Sequence, residues 1–515
     1  MNSLTQQEIN GQLFYLSKES IKTIVLQSKC GLTSSIKNYS KNTSNIDITT
    51  NSNFSPLLCV YKKATPNFIH NKNSNGFDED SFKKDLNPTT NALMTLCILE
   101  LCDYYKSYEN IDAFNFSLYE IYKNLSKDQL EFYSQNLRNN EGGFVDKKNI
   151  LESNLKNFNL IDKNKKFKFS DQAFMMIAYY LYSIKNPNEE ISKSYKAFAL
   201  EILQMFVDFS EKIYECSLDE LCKTLLALNI MYKYDNLSDL HSLIIDISDY
   251  VMNKFDEKDY YVDSLDTAAL CSLNLTLSYK HTNIIAFLDK SSEILTKLAS
   301  LYDADHEVFY KLSSKKEIKY SCLDITFYYL AFLVFESNSS EETIFKPMLL
   351  SIYRKFIINS GILPSWPDAP TLDDYERYRG LTLNSEDMID ESYFRMPNLP
   401  TPASVGMASV FTKSIVYNKR KDSFTPSKPS FDSYKNFLNF YLFIYLFKDD
   451  FIEDMKLGDR YMSKTSSIDL PSVPITEETP NDLTTTPSSE NPLDVTESIS
   501  NELISPISSL PPIVP

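Results

Sequence analysis

The chain has very little glycine. Only 9 of its 515 residues are Gly, about 2% against a usual share of about 7%. Glycine supplies the positive φ angles that tight turns and phosphate-binding loops need. The one adjacent pair, Gly142 and Gly143, lacks the following Lys or third Gly of the nucleotide-binding motifs. The shortage excludes a Gly-rich nucleotide site and favours helices joined by polar loops.

Metal-binding patterns are missing as well. None of the eight cysteines forms a Cys-x-x-Cys pair, and a zinc site usually needs such spacing together with nearby histidines. The histidines are only four and lie far apart: His70, His241, His281 and His306. We therefore expect no metal site and no cofactor, and we interpret the cysteines as reduced core thiols.

Two further patterns bear on location, and from them we expect neither a secretion signal nor a membrane-spanning run. Residues 1–11 are polar, without a basic region followed by an apolar core. The most apolar stretch covers residues 437–447, whereas a membrane-spanning helix takes about twenty residues. We predict a cytoplasmic protein without a membrane span.

The net charge of −17 is concentrated in part at the end of the chain. After Lys464 there are eight acidic residues and no basic one, together with nine of the 22 prolines. Such a segment cannot bury enough apolar surface to fold, so we predict a disordered acidic tail over residues 465–515. The acidic surface repels phosphate groups, and we expect no nucleic-acid partner.

What the chain does contain is a repeat. The sequence from Ser217 resembles the sequence from Ser264, and looser copies begin near Ser170 and Ser321. Each copy carries an early aspartate: Asp171, Asp219, Asp266 and Asp324. These aspartates are 48, 47 and 58 residues apart, which is the range of a helix pair with its loops.

Apolar residues occur on nearly all sides of the helices that begin these copies. Such helices must be surrounded by protein, whereas the amphipathic helices between them would form an outer layer. The alternation predicts an all-α fold of repeated helical hairpins. The hairpins would form an α/α toroid or, as the alternative, an open α-solenoid.

Changes in composition divide the chain into segments. We predict an N-terminal helical segment (1–32), a polar connector (33–86), a helical-hairpin repeat domain (87–360), an irregular Pro-punctuated covering segment (361–430), a final core helix (431–455) and the disordered tail (465–515).

Two groups of residues are candidates for a ligand or partner site. If the repeats close into a ring, the four aspartates would meet at one mouth and could act as acid and base or bind a cation. The leading interpretation is different, because a Ser followed by an acid also caps a helix and complements its dipole. The second group surrounds the one tryptophan: Trp366, Asp373, Asp374 and Arg377.

The helical hairpins resemble a known group of proteins. The sequence Glu141-Gly-Gly-Phe144 precedes an inner helix, and residues 87–370 are similar in architecture to the α/α-toroid group of terpenoid cyclases and protein prenyltransferase β-subunits. The resemblance implies a toroid. The Gln/Trp repeat motif, the Asp-x-Asp-Asp acid and the zinc ligands of that group have no counterpart here, so the resemblance implies no catalytic residue.

These observations leave two functional hypotheses. The leading one is a non-catalytic interaction or scaffold protein that binds a protein partner through its helical repeats. The alternative is an α/α-barrel enzyme that acts on a carbohydrate or isoprenoid in a central cavity, with the repeated aspartates as acid and base.

Removing the tail should leave the folded body intact. We expect truncation after Lys464 to change the melting temperature by less than about 2 °C, because changes away from a core usually cost less than about half a kcal/mol. Differential scanning calorimetry of both chains measures this. A much lower melting temperature of the truncated chain would mean that the tail packs against the body.

Overall fold

A computed structural model describes residues 4–34, 54–64, 77, 81–150, 158–164, 166–262, 264–312, 316–339, 345–368, 402, 404 and 406–465, with side chains in the last helix as far as 452. Helices dominate this part of the chain. They are α1 (Gln6–Gln27), α2 (Pro88–Lys106), α3 (Ala113–Asn136), α4 (Phe169–Lys185), α5 (Glu190–Asp208), α6 (Ser210–Tyr214), α7 (Leu218–Tyr232), α8 (Ser238–Asp256), α9 (Leu265–Thr282), α10 (Ile285–Ser300), α11 (Cys322–Asn338), α12 (Lys346–Ile352) and α13 (Ser433–Thr465).

Short strands accompany the helices. They are β1 (Gly31–Thr33), β2 (Leu57–Val60), β3 (Lys63–Ala64), β4 (Asp85–Leu86), β5 (Lys147–Asn149), β6 (Leu160–Asp162), β7 (Tyr302–Asp303), β8 (Val308–Phe309), β9 (Glu317–Ser321), β10 (Ser414–Asn418), β11 (Ser423–Pro426) and β12 (Phe431–Asp432). The fold is therefore mainly helical, and the expectation of an all-α protein needs this correction.

The most buried helices contact one another in a closed order. Helix α2 packs against α4, α4 against α7, α7 against α9, and α9 against α11. Helix α13 contacts both α11 and α2. We call these six helices of the described chain the inner helices. Their order of contacts returns to its starting point, and in that order α13 lies opposite α7.

Each inner helix carries an outer helix. The pairs are α2 with α3, α4 with α5, α7 with α8, α9 with α10, α11 with α12, and α13 with α1. The predicted hairpin repeat accounts for most of these pairs. The last pair joins the first and final helices of the described chain, which no repeat in the sequence indicated.

Burial separates the two layers. Every residue from Phe169 to Ser183 of α4, and from Cys322 to Phe335 of α11, is buried. Outer helix α8 buries one stripe, which includes Leu240, Ile244 and Val251, as expected for an amphipathic surface helix. None of the helices in the described part of the chain is long and apolar enough to cross a membrane.

The strands are spread over several of the predicted segments: β5 to β9 lie within the predicted hairpin repeat domain, whereas β10 and β11 lie in the Pro-punctuated segment. Strands β9, β10 and β11 form an antiparallel sheet in which β11 is an edge strand. Pro426 ends this edge strand. Proline has no N–H to donate, and an edge strand tolerates this because one of its sides has no neighbouring strand. The prolines of residues 361–430 exclude a long helix but not short strands. In the polar connector, β2 pairs with β1.

The predicted tail, apart from Thr465, lies outside the described residues.

Buried ion pairs hold α13 against α2. The Lys448 ammonium lies 3.3 Å from the Glu100 carboxylate and 3.0 Å from that of Asp103. The side chain of Glu100 is fully buried and that of Lys448 is 5% exposed. The Tyr234 hydroxyl also donates a hydrogen bond to Glu100. Because both charges are withdrawn from water, each depends on the other for compensation.

Breaking this pair should destabilise the whole fold. We expect Lys448→Met to lower the free energy of unfolding by about 3 to 5 kcal/mol, since the Glu100 charge would stay buried without its partner. Lys421→Met, at an exposed position, is the control and should change it by less than about half a kcal/mol. Chemical denaturation measures both. Equal stabilities of the two variants would disprove the structural role of the pair.

Candidate functional site

The first turns of the inner helices meet at one end of the ring, which we call the mouth. Hydrogen bonds, ion pairs and charge interactions link these turns to one another. The charged and aromatic side chains involved are Lys168, Asp171, Asp219, Glu220, Lys223, Asp266, Lys311, Asp324 and Tyr434. All four repeated aspartates of the sequence are among them.

Asp171 joins α4 to α2. It is 1% exposed, and its Oδ1 accepts hydrogen bonds from the Thr89 amide (3.1 Å), the Thr89 hydroxyl (2.5 Å) and the Asn87 amide group (3.2 Å). Lys168 lies 3.3 Å from its Oδ2. Burial raises the pKa of Asp171 although Lys168 and Thr89 act against it. This aspartate therefore binds the beginning of the neighbouring helix rather than that of its own.

Asp219 is the most exposed of the four. Its side chain is 53% exposed and lies 2.6 Å from the Lys223 ammonium one turn later. Ser217 caps α7 by accepting a hydrogen bond from the Glu220 amide, as the sequence pattern suggests. The Glu220 carboxylate accepts a bond from the Ser170 amide at 2.9 Å and so links α7 to α4.

Asp266 lies between two other aspartates. Burial raises its pKa, and the negative charges of Asp324 and Asp219 raise it further, against a hydrogen bond from the Thr267 amide and the charge of Lys311. It keeps partial contact with solvent. Ser264, which precedes its helix, makes no side-chain capping bond. Asp266 is thus the carboxyl group of the mouth that combines access to solvent with a pKa above the ordinary aspartate value.

Asp324 has its partners in place. The Lys311 ammonium is 3.1 Å from Oδ2, and the Ser321 hydroxyl donates to Oδ1. Ser321 in turn accepts from the Asp324 amide at 3.2 Å and caps α11. The side chain is only 7% exposed. This ion-paired carboxylate is the main charge that acts on Asp266.

A cation–π contact crosses the mouth. The Lys223 ammonium of α7 lies 5.7 Å from the centre of the Tyr434 ring in the first turn of α13. These two helices are opposite one another in the order of contacts. The contact therefore places Tyr434 beside a charged side chain from the opposite side of the ring.

The second candidate group does not assemble into a described site. Trp366 is 6% exposed and belongs to the core, and its backbone amide donates to the Pro402 carbonyl at 2.9 Å. Its ring is therefore not presented to a partner at the surface. Asp373, Asp374 and Arg377 lie outside the described residues.

The Gly-Gly turn has a structural role. The Asn139 side chain accepts from the Gly143 amide at 2.9 Å, and Gly142 adopts a positive φ of 89°. Gln172 of α4 bonds both to the amide (3.0 Å) and to the carbonyl (2.9 Å) of Phe144. The turn is thereby fastened beside the start of α4.

Sequence reasoning missed Lys223, Lys311 and Tyr434. Lys223 follows Asp219 at i+4, a spacing that could have indicated the ion pair. Lys311 precedes Asp324 by 13 residues, and Tyr434 is far in sequence from Lys223, so only the fold reveals these contacts. Among the described residues there is no group of three or more His, Cys, Asp or Glu side chains arranged to hold a metal ion.

No protein-family profile matches the chain, and no curated protein matches its sequence. The fold is similar to that of a D-mannose isomerase (TM-score 0.47, 9% identity, 79% of this chain and 94% of that chain). It is also similar to cellobiose 2-epimerase from Bacillus thermoamylovorans (0.46, 10%, 75% and 93%). A third similar structure is an unsaturated glucuronyl hydrolase specific for heparin (0.40, 10%, 86% and 98%).

These comparisons correct two expectations. The similar structures are a mannose isomerase, a cellobiose epimerase and a glucuronyl hydrolase, and none of the three is a terpenoid cyclase or a protein prenyltransferase. The expectation of a non-catalytic interaction or scaffold protein is wrong, because the similar structures are one isomerase, two epimerases and one hydrolase. At this level of identity, the chemistry has to be argued from the side chains of this chain.

Removing the charge of Asp266 should stabilise the protein at neutral pH. A carboxyl group whose pKa is raised by folding favours the folded state below its unfolded pKa, and this contribution is lost as the pH rises through the folded pKa. We therefore expect Asp266→Asn to unfold at a higher denaturant concentration than the native chain at about pH 7, with the difference vanishing near about pH 3.

The matched control is Asp219→Asn, which removes an exposed, ion-paired carboxylate. We expect a change of less than about 1 kcal/mol, because exposed ion pairs contribute little. Urea titrations at several pH values measure both variants. A loss of stability for Asp266→Asn at neutral pH would show that its charge supports the helix terminus instead.

Proposed function

We propose that this chain is an enzyme that acts on a saccharide by acid–base catalysis at the mouth of an α/α toroid. The observation that carries the proposal is the unequal environment of two neighbouring carboxyl groups. Burial and the charge of Asp324 raise the pKa of Asp266, whereas Asp219 is exposed and paired with a lysine. Carboxyl groups that differ in this way can serve as proton donor and proton acceptor.

The order of helix contacts supports a closed toroid over an open solenoid. In a solenoid the first and last repeats do not touch. Here α13 contacts α2 and α11, and α1 packs on α13. The hydrogen bond from Gln6 of α1 to the Tyr329 hydroxyl of α11, at 2.6 Å, joins the same two ends of the repeat.

The proposed roles follow from access and charge. Asp266 is the general acid, because its pKa is raised and it is partly accessible to solvent. Asp219 is the carboxylate partner that accepts a proton or stabilises positive charge on the sugar ring. Asp324 is a positioning residue, because its carboxylate is already bound by Lys311 and Ser321 and its charge acts through Asp266. Cleavage of a glycosidic bond uses two carboxyl groups of this kind.

The charge of the mouth favours a saccharide over an isoprenoid diphosphate. Its carboxyl groups are Asp171, Asp219, Glu220, Asp266 and Asp324, and its ammonium groups are Lys168, Lys223 and Lys311. A diphosphate would meet more negative than positive groups there, in a chain whose net charge is −17. A polyhydroxylated neutral ligand meets no such repulsion.

We place the site at the mouth rather than in a deep central cavity. The inner helices α4 and α11 are buried along most of their length. The Lys223 ammonium and the Tyr434 ring approach each other across the mouth. In the first turns of the inner helices, Asp219 and Asp266 reach solvent and can contact a ligand at the mouth.

Substitution of the two carboxyl groups tests the proposal. The purified protein is incubated with neutral glycosides and oligosaccharides, and products are separated by chromatography to detect cleavage or isomerisation. We expect Asp266→Asn to lower kcat by about 10²- to 10⁴-fold, the usual contribution of a general acid. Asp239→Asn, an exposed first-turn aspartate of outer helix α8, is the control and should keep full activity.

The pH dependence distinguishes the positioning residue from the acid. Asp324→Asn removes the negative charge that raises the pKa of Asp266, so the alkaline limb of the kcat/KM profile should move to lower pH while activity is retained near the optimum. If no saccharide is converted by the native chain, or if Asp266→Asn is as active as the native chain, the proposed function is wrong.

A further inference from the structure

Tyr434 occupies a central place in the mouth. Its ring faces the Lys223 ammonium from the opposite helix at 5.7 Å. The charges of Asp219, Glu220 and Asp171, which come from two inner helices, all act on its hydroxyl group. No other described tyrosine in a first turn of an inner helix lies among the charged groups of the mouth in this way.

The hydroxyl group of Tyr434 has no hydrogen-bond partner among the described residues, and its oxygen is buried. Buried polar atoms in proteins are nearly always hydrogen-bonded. Burial raises the pKa of Tyr434 to about 12, against the effect of Lys223. The group is therefore an O–H donor at neutral pH.

The nearby carboxylates are already engaged. Asp219 pairs with Lys223 at 2.6 Å. Glu220 accepts from the Ser170 amide at 2.9 Å, and Asp171 accepts from Thr89. The Tyr434 hydroxyl is thus an unused donor surrounded by negative groups that are committed to other partners.

This arrangement selects between kinds of ligand oxygen. A ligand carboxylate bound to Tyr434 would have to approach Asp219, Glu220 and Asp171, and like charges in one cleft repel each other. A hydroxyl, ring or carbonyl oxygen can accept the Tyr434 hydrogen bond without that repulsion. The lysines of the mouth do not reverse the preference, because Lys168, Lys223 and Lys311 are each paired with an aspartate.

We propose that Tyr434 is a specificity-determining residue that donates a hydrogen bond to an uncharged oxygen of a saccharide, and that the mouth selects neutral saccharides over uronates. The inference rests on the proposed function, since it names the substrate class of the same site. It adds a contacting residue that lies on the far side of the ring from Asp219.

The test compares Tyr434→Phe with Tyr441→Phe. Both tyrosines belong to α13, and each substitution removes a hydroxyl group that has no hydrogen-bond partner among the described residues. Tyr441 is fully buried seven residues further along the helix, about 10 Å from the first turn. The probes are the methyl glycosides of glucose, mannose and galactose, and the methyl glycosides of glucuronic and galacturonic acid, titrated at millimolar concentration and followed by calorimetry.

We expect at least one neutral glycoside to bind the native chain, and its matched uronate to bind at least about tenfold more weakly. Tyr434→Phe should weaken binding of the neutral glycoside by about fivefold to tenfold, the effect of one lost hydrogen bond. Tyr441→Phe should bind like the native chain. Without ligand, Tyr434→Phe should have the same melting temperature as the native chain, because no bond within the protein is lost.

The outcomes separate this inference from the proposed function. If a neutral glycoside binds but Tyr434→Phe binds it equally well, or if the uronate binds as tightly, the inference is overturned and the saccharide site survives. A lower melting temperature of unliganded Tyr434→Phe also overturns it, because the hydroxyl would then have a structural partner. If none of the glycosides binds the native chain, the proposed function falls and the inference falls with it.

Discussion

The packing of α13 between α2 and α11 is the constraint on which the rest of the structure depends. The thiol of Cys97 on α2 approaches the Phe437 carbonyl at 3.8 Å, and Asn436 bonds to the backbone of Phe411. The Lys448 and Glu100 charges are buried together. Only with this helix in place does the order of inner-helix contacts close, and only then does Tyr434 lie opposite Lys223.

The two ends of the inner layer use the same kinds of groups with different results. At the far end, Lys233 directly follows α7. Its ammonium group lies 4.6 Å from the centre of the Tyr445 ring and 2.9 Å from the Asp449 carboxylate. Burial acts to raise the pKa of Asp449, but hydrogen bonds from Lys448 and Lys233 outweigh this effect and lower that pKa to about 2. That end is compensated and structural. At the mouth the acids outnumber the lysines, and the excess negative charge raises the pKa of Asp266.

The helical part of this fold could be predicted because its signals are local. Apolar residues at helical spacing and the shortage of glycine indicated the hairpins, and Ser217 and Ser321 are the caps that their sequence suggests. Asp171 follows the same pattern but bonds to Thr89 of the neighbouring helix. A local pattern cannot distinguish an acid that caps its own helix from one that reaches the next.

The remaining features depend on contacts between distant residues. Strand β10 pairs with β9 across about a hundred residues of sequence, so the Pro-punctuated segment gave no local sign of its sheet. Tyr434 belongs to the mouth only because α13 returns to the beginning of the repeat. The signal that could have raised the enzyme hypothesis was the repetition of aspartates itself, since the repeat brings equivalent positions to one end of a ring.

The most direct test of this account is the titration of the Asp266 carboxyl group in the folded protein. Selective ¹³C labelling of aspartate and comparison with the Asp266→Asn variant would identify its resonance. The account predicts a titration midpoint clearly above the ordinary aspartate value of about 3.9, moving downward in Asp324→Asn. A midpoint at or below that value would contradict the assignment of Asp266 as the proton donor of the mouth.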